Sequence, residues 1–129
     1  MEFDVDRNIV AGAQRIWRIL TNAAGYADWD NGISSIEGEI VAGGKITVRS
    51  GGGSQKHKVV ELVPNERMTW KSSRPRVVRT FALTERPNGT TDVRIHGVVS
   101  GFGKKQLPDL RITINDFVDG LKKQAESTI

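Results

Sequence analysis

The chain contains no cysteine, which excludes disulfides, thiolate metal sites and a cysteine nucleophile. It has only two histidines, His57 and His96, and no carboxylate at ligand spacing from either, so a metal site is not expected. No apolar run approaches the ~20 residues that span a bilayer, and the acidic start "MEFDVDRN" is unlike a secretory signal. We therefore expect one cytoplasmic domain over residues 1–129, with no cofactor and no transmembrane segment.

Catalytic signatures are also missing. The sequence offers no serine–histidine–acid order, no paired carboxylates and no dinucleotide fingerprint. The glycine-rich stretch "GGGS" (51–54) is followed by neither a helix nor a lysine–serine pair, so it predicts a hairpin loop rather than a phosphate site. These absences leave the question of enzymatic activity open.

The excess of basic charge is modest. Nineteen basic residues against fifteen acidic ones give a formal net charge of +4. The basic residues gather loosely in "KSSRPRVVR" (71–79) and at Lys104–Lys105, without the interleaved aromatics of a base-stacking platform. A solvated basic rim is favoured over a phosphate-binding role, and no nucleic-acid partner is expected.

Apolar and polar residues alternate along much of the chain, which is typical of strands with one buried face. In the first segment Phe3, Val5 and Ile9 share a parity, with Arg7 as the exception. Turn sequences such as Pro87-Asn88-Gly89 separate the segments. The pattern predicts about seven strands in one antiparallel sheet, over residues 2–9, 33–41, 44–50, 56–63, 67–72, 76–85 and 90–101.

Helical periodicity appears in two places. After the first strand, residues 13–20 predict a short helix, and "TNAAGYADW" predicts a turn and a second short helix. Near the carboxyl end, apolar residues recur at steps of three and four, which predicts a helix over 107–126, about 30 Å long. Its apolar face must lie against the sheet. An α+β fold whose sheet curls around one helix can leave a pocket between them.

The order of these elements resembles the START/polyketide-cyclase (SRPBCC) superfamily over nearly the whole chain. The resemblance rests on "IWRILTNAAGYADW", "GGKITV", "VVELVPNERMTW", "FALTERPNGTTDV" and "FVDGLKKQAE". It implies a helix-grip fold, and the most similar branch is the polyketide cyclase/dehydrase-like group. Members of the superfamily include lipid and hormone binders, aromatase/cyclases and co-chaperone domains. Two segments depart from the branch pattern, "WDNGI" (29–33) and the short "GFGKKQ" (101–106), and both lie at the expected pocket mouth.

Arg79 is the candidate polar anchor. It shares a strand face with Val77, Phe81 and Leu83, so its guanidinium could point inward and bind a carboxylate, phenolate or phosphate. The alternative is that Arg79 lies near the mouth and pairs with an acidic side chain. It is favoured because paired buried arginines are commoner in proteins than ligand-binding ones.

The histidines differ in their expected placement. His96 alternates with Val93 and Ile95, which predicts that it faces outward. The face of His57 stays open, because Val59 and Val63 share its parity while Val60 and Leu62 share the other. Facing inward, His57 could act as a general base or a hydrogen-bond partner; a structural role is favoured because no carboxylate is placed to orient it.

We predict a ligand-binding set on the inner face, although core packing is the alternative for each of its large side chains: Trp70, Arg79, Phe81, Ile95, Leu110, Ile114, Phe117 and His57. The leading hypothesis is binding or transport of a small hydrophobic or aromatic ligand. An aromatase/cyclase- or dehydrase-like enzyme using Arg79 and His57 is a second. A co-chaperone-like interaction module is a third. Oligomeric state stays open.

Overall fold

The computed structural model describes residues 2–29, 33–50, 53–73, 76–100 and 107–127. A short 3₁₀ turn over Ala23–Gly25 separates the first two helices. The other elements, in chain order, are β1 (Glu2–Ile9), α1 (Ala13–Thr21), α2 (Tyr26–Trp29), β2 (Ile33–Glu37), β3 (Lys45–Ser50), β4 (Gly53–Val63), β5 (Arg67–Ser73), β6 (Arg76–Glu85), β7 (Thr91–Ser100) and α3 (Leu107–Glu126).

The seven strands form one antiparallel sheet in the order β1-β7-β6-β5-β4-β3-β2, which confirms the predicted fold class. Most strands pair with their neighbour in sequence, and β1 joins at the far edge beside β7. Two strand boundaries differ from the prediction by more than one residue. β2 ends at Glu37 because Gly38 takes φ +100°, and β4 begins early because Gly53 still pairs with Ser50.

A β-bulge in β4 explains the conflicting parities in this part of the sequence. Val59 lies opposite Trp70 and Glu61 lies opposite Thr69, so Val60 is an extra residue with no partner on β5. Val60 is half exposed. The bulge reverses the alternation, and residues on both parities reach the same inner face.

Helix α3 has the bounds that its apolar periodicity predicted. Among the side chains of α3 that the structure describes, from Ile114 onward, five are buried against the inner face of the sheet and the first helices: Ile114, Phe117, Val118, Leu121 and Ala125. Arg7, the exception in β1, reaches this helix, where its Nε lies 3.0 Å from Asp119 Oδ1 and its Nη2 3.0 Å from Asn115 Oδ1. A partly exposed arginine therefore replaces an apolar residue where β1 meets α3.

Helix α1 begins after Gly12, an N-cap residue that supplies no side-chain hydrogen bond. The cap comes from β6, where Glu85 Oε1 accepts a hydrogen bond from the Ala13 N–H at 2.8 Å. The buried side chains of α1 include Ile16, Trp17 and Leu20. Among the described residues, no helix combines the length and the apolar character that crossing a membrane requires.

Candidate functional site

The strand register brings the predicted site residues onto one face of the sheet. Residues directly opposite each other in antiparallel strands point to the same side. Trp70 of β5 lies opposite Arg79 of β6, and Arg79 lies opposite Gly97 of β7. One pair along, Phe81 lies between Met68 and Ile95. The inner faces of β5, β6 and β7 therefore carry Trp70, Arg79, Phe81 and Ile95 together.

Aromatic rings from three parts of the chain meet on this face. Trp70 lies 4.9 Å from Phe81, and Phe81 lies 5.6 Å from Phe117 of α3, between ring centroids. The rings of Tyr26 and Trp29 of α2 are tilted to each other with centroids 4.7 Å apart, and the Trp29 ring lies 5.0 Å from that of Phe117. These tilted and edge-on arrangements are the favoured geometries of packed rings. One aromatic cluster therefore joins the sheet, α2 and α3.

At the α2 end of this cluster, the one hydroxyl group has a hydrogen-bond partner. Tyr26 is fully buried, and its hydroxyl donates to the Leu20 carbonyl oxygen at 2.5 Å. Trp29 is also buried but its Nε1 has no partner among the described residues. The ring of Trp29 packs between Tyr26 and Phe117, so core packing accounts for its position.

His57 lies on the inner face, which resolves its ambiguous parity. It is buried, and its ring lies 5.9 Å from that of Trp70. Burial, and secondarily the positive charge of Arg79, lowers the pKa of His57 from 6.5 to about 4. The imidazole is therefore neutral at neutral pH, with one nitrogen carrying a proton and the other able to accept one.

Three buried polar groups beside Arg79 have atoms without a hydrogen-bond partner among the described residues. They are His57 Nδ1, Trp70 Nε1 and Ser72 Oγ. Ser72 follows Trp70 by two residues on the same face and lies opposite Val77. Buried polar atoms in folded proteins nearly always have a partner, so such a group calls for a water or a ligand. We call His57, Trp70, Ser72 and Arg79 the inner polar cluster.

The inner polar cluster is richer in donors than in acceptors. An indole N–H and a guanidinium only donate, and a hydroxyl and a neutral imidazole can do either. A ligand that satisfied the partnerless atoms of His57, Trp70 and Ser72 and lay beside the Arg79 guanidinium would present oxygen acceptors. Arg79 itself lies between Trp70 and Gly97, and a side chain at position 97 would meet the Phe3 ring at 2.1 Å. The rings of Trp70 and Phe3 thus stand over the two strands that flank Arg79.

Other predicted site residues fall in different places. Ile95 and Ile114 are buried in the core, whereas the side chain of Leu110 and the mouth segments 30–32 and 101–106 lie outside the described residues. His96 faces outward as predicted, with Nδ1 2.8 Å from Asp4 Oδ1. No group of three potential metal ligands occurs in the part of the chain that the structure describes.

Ser72 is the site residue that the sequence did not suggest. Its spacing of two from Trp70 was a usable signal, because alternation places both on one face. Nothing in the sequence indicated that the Ser72 side chain would be buried. The structure leaves Ser72 only 2% exposed.

A seven-stranded antiparallel sheet closed by a carboxyl-terminal helix and a helical hairpin defines a START-like helix-grip protein. Residues 1–126 match the family described as polyketide cyclase / dehydrase and lipid transport, and the chain belongs to this family. The sequence has no match among curated proteins.

Solved structures agree on the fold. The Aha1 dimer from Colwellia psychrerythraea is 24% identical, with a TM-score of 0.85, and the match covers 98% of this chain and 96% of that one. A START superfamily protein from Mycobacterium smegmatis is 13% identical, with a TM-score of 0.78 and 97% of each chain covered. DynU16, from the dynemicin biosynthetic locus, is 18% identical with a TM-score of 0.82; the match covers 98% of this chain and 47% of that one. At these identities the likeness concerns the fold alone.

Proposed function

We propose that this protein binds a small, largely aromatic ligand between the sheet and α3, and that the ligand carries a carboxylate, phenolate or carbonyl oxygen. The observation that carries the proposal is the inner polar cluster, where His57, Trp70 and Ser72 have buried atoms lacking a partner among the described residues. The family is associated with small hydrophobic ligands, which supports the same class.

Each part of the cluster has a distinct role in this proposal. The rings of Trp70 and Phe81, whose centroids lie 4.9 Å apart, supply the apolar contact. Arg79 supplies a donor fork for an acidic oxygen. Trp70 Nε1 and Ser72 Oγ supply neutral donors, which orient a carbonyl without demanding a charge.

A second candidate is catalysis of the cyclase or dehydrase type, favoured by the proximity of Arg79 to a neutral imidazole. An arginine could polarise a ligand carbonyl while His57 removed a proton. The lowered pKa of His57, about 4, makes it a weak base at neutral pH. Binding is therefore the leading function. An interaction module receives no comparable support from the described residues, whose only large exposed apolar side chains are Val10, Val41 and Val60.

Two matched probes test the acidic-ligand proposal: 2-naphthoate and the uncharged 2-ethylnaphthalene. Arg79→Met should weaken binding of 2-naphthoate by at least tenfold, the loss of a charge-assisted hydrogen bond. It should leave 2-ethylnaphthalene binding within about threefold, since the apolar contacts remain. Calorimetry or tryptophan fluorescence measures both.

The proposal fails if wild-type protein prefers the uncharged probe and native mass spectrometry finds no co-purified small molecule. A thermal melt of Arg79→Met serves as the folding control. Unfolding of this variant would make Arg79 structural, and in that case Ser72→Ala decides: an unchanged affinity for 2-naphthoate would contradict the proposed cluster.

A further inference from the structure

The outer face of the sheet carries a row of lysines that only the strand register reveals. Lys45 of β3 lies opposite Lys58 of β4, and Lys58 lies opposite Lys71 of β5. Lys56 follows on the same face, opposite Thr47. Neighbouring strands are ~4.8 Å apart, so the backbone positions of the three paired lysines span only about 10 Å. We call Lys45, Lys56, Lys58 and Lys71 the lysine surface.

The lysine surface has no counter-charge of its own. Within the described residues none of its four members makes an ion pair or a side-chain hydrogen bond, whereas nearby arginines do. Arg49 pairs with Glu37, and Arg67 pairs with Glu61. Like charges directly opposite each other across strands destabilise a sheet. The arrangement is therefore unfavourable in the isolated protein, and an anion bound across the lysines would relieve the repulsion.

The same region exposes apolar groups. The lysines border an open groove of about 510 Å³ that Val60, the bulged residue, also lines. Val60 is 50% exposed, and Val41 in the adjoining turn is 46% exposed. The turn is tied to the bulge, because the Gly43 N–H donates to the Val59 carbonyl oxygen and the Val59 N–H donates to that of Gly44. Two of three large exposed apolar side chains in the described chain thus adjoin the lysine surface.

We propose that the lysine surface docks the protein on an anionic lipid membrane. Clustered lysines are drawn to the negative surface potential of anionic lipids, and half-exposed valines gain by entering the interface. Every described aromatic side chain is buried, which disfavours single-stranded nucleic acid because base stacking needs exposed rings. A second copy, whose edge strand β1 exposes Glu2, Asp4 and Asp6, is the other occupant to test. Self-association in vesicle-free solution that Lys58→Gln, Lys71→Gln abolishes would overturn membrane docking.

Vesicle co-sedimentation tests this docking. Wild-type protein should bind vesicles of phosphatidylcholine with phosphatidylserine, should not bind phosphatidylcholine alone, and should dissociate as salt rises. The double variant Lys58→Gln, Lys71→Gln should lower the partition coefficient roughly 30-fold, from ~1 kcal/mol per lysine at such a surface. Val60→Ser should lower it a fewfold by removing the apolar contact.

The matched control is Arg18→Gln with Lys123→Gln, which removes the same charge from exposed positions on α1 and α3. Equal losses in both double variants would overturn the proposal in favour of general charge attraction. The proposal would also be overturned if the protein bound tripolyphosphate or single-stranded DNA in solution but did not partition onto vesicles. That result would assign the lysine surface to a soluble polyanion.

A folding readout separates docking from structural damage. Because Lys58→Gln relieves repulsion between opposed lysines, its melting temperature should equal or exceed that of the wild type. A fall in both melting temperature and vesicle binding would show a structural role and contradict the proposal. The docking does not rest on ligand binding in the grip, so Arg79→Met should bind vesicles as the wild type does.

Discussion

The two faces of the sheet surround their histidines in opposite ways. On the outer face, His96 shares the Asp4 carboxylate with Arg94, and water reaches all three side chains. On the inner face, His57 is buried beside Trp70, and its Nδ1 has no partner among the described residues. Outside, a polar group finds solvent or a counter-charge at little cost. Inside, burial removes both, so an unpaired polar atom is costly unless a water or a ligand satisfies it.

The largest effect should come from removing the indole that joins the polar cluster to the core. Trp70→Ala should lower the free energy of unfolding by about 3–5 kcal/mol, since Trp70 is fully buried and contacts Phe81, Tyr26 and His57. Urea denaturation measures the loss.

Trp70→Phe is the matched control for that substitution. It keeps an aromatic ring while removing the N–H that lacks a partner, so it should cost clearly less than Trp70→Ala and still weaken ligand binding. Equal costs for the two variants would contradict the packing described for this ring.

The next effect concerns pH. Burial and the charge of Arg79 lower the pKa of His57 to about 4, against 6.5 for the free side chain. The unfolded chain therefore takes up a proton at a higher pH than the folded one, and stability rises with pH in this window. The contribution of His57 to the free energy of unfolding is fully present above pH 6.5. It is lost as pH falls toward 4, and the loss amounts to up to about 3 kcal/mol.

Unfolding free energies measured across pH 4–6.5 test this, with His57→Leu as the variant and His96→Gln as its surface control. His57→Leu should flatten the dependence, and His96→Gln should leave the part due to His57 in place. A dependence that persisted unchanged in His57→Leu would assign it to other groups.

The smallest effect should come from the outer face. Asp4→Asn removes the carboxylate that Arg94 and His96 share, at a site where water can replace it. The melting temperature should change far less than in Trp70→Ala. A comparable loss would mean that the outer ion pairs support the fold as strongly as the inner aromatic cluster does.

Much of the fold could be predicted from local pattern. The alternation in β1 and the stripe in α3 gave both elements their observed bounds, because each buries one continuous face. The faces that the β4 side chains occupy could not be predicted, because Val60 is an extra residue and the alternation changes parity there. β2 ends early because Gly38 has a positive φ, which an alternating pattern does not record.

The candidate site was predicted in part. Trp70, Phe81 and Phe117 were expected on the inner face by alternation and helical spacing, and they meet there. Ser72 was not predicted, because a serine beside a strand end is usually solvated. The lysine surface was not predicted either, because Lys45, Lys58 and Lys71 are far apart in sequence and only strand pairing places them side by side.

The sequence by itself determined the element types, the antiparallel sheet and the long helix that must cover it, since these follow from which residues avoid water at which spacing. Tertiary structure alone decided the register, the bulge, the face of His57 and the opposition of three lysines. The reason is physical: hydrophobic periodicity is local, whereas electrostatic partners and unpaired polar atoms depend on which distant strands come to lie ~4.8 Å apart.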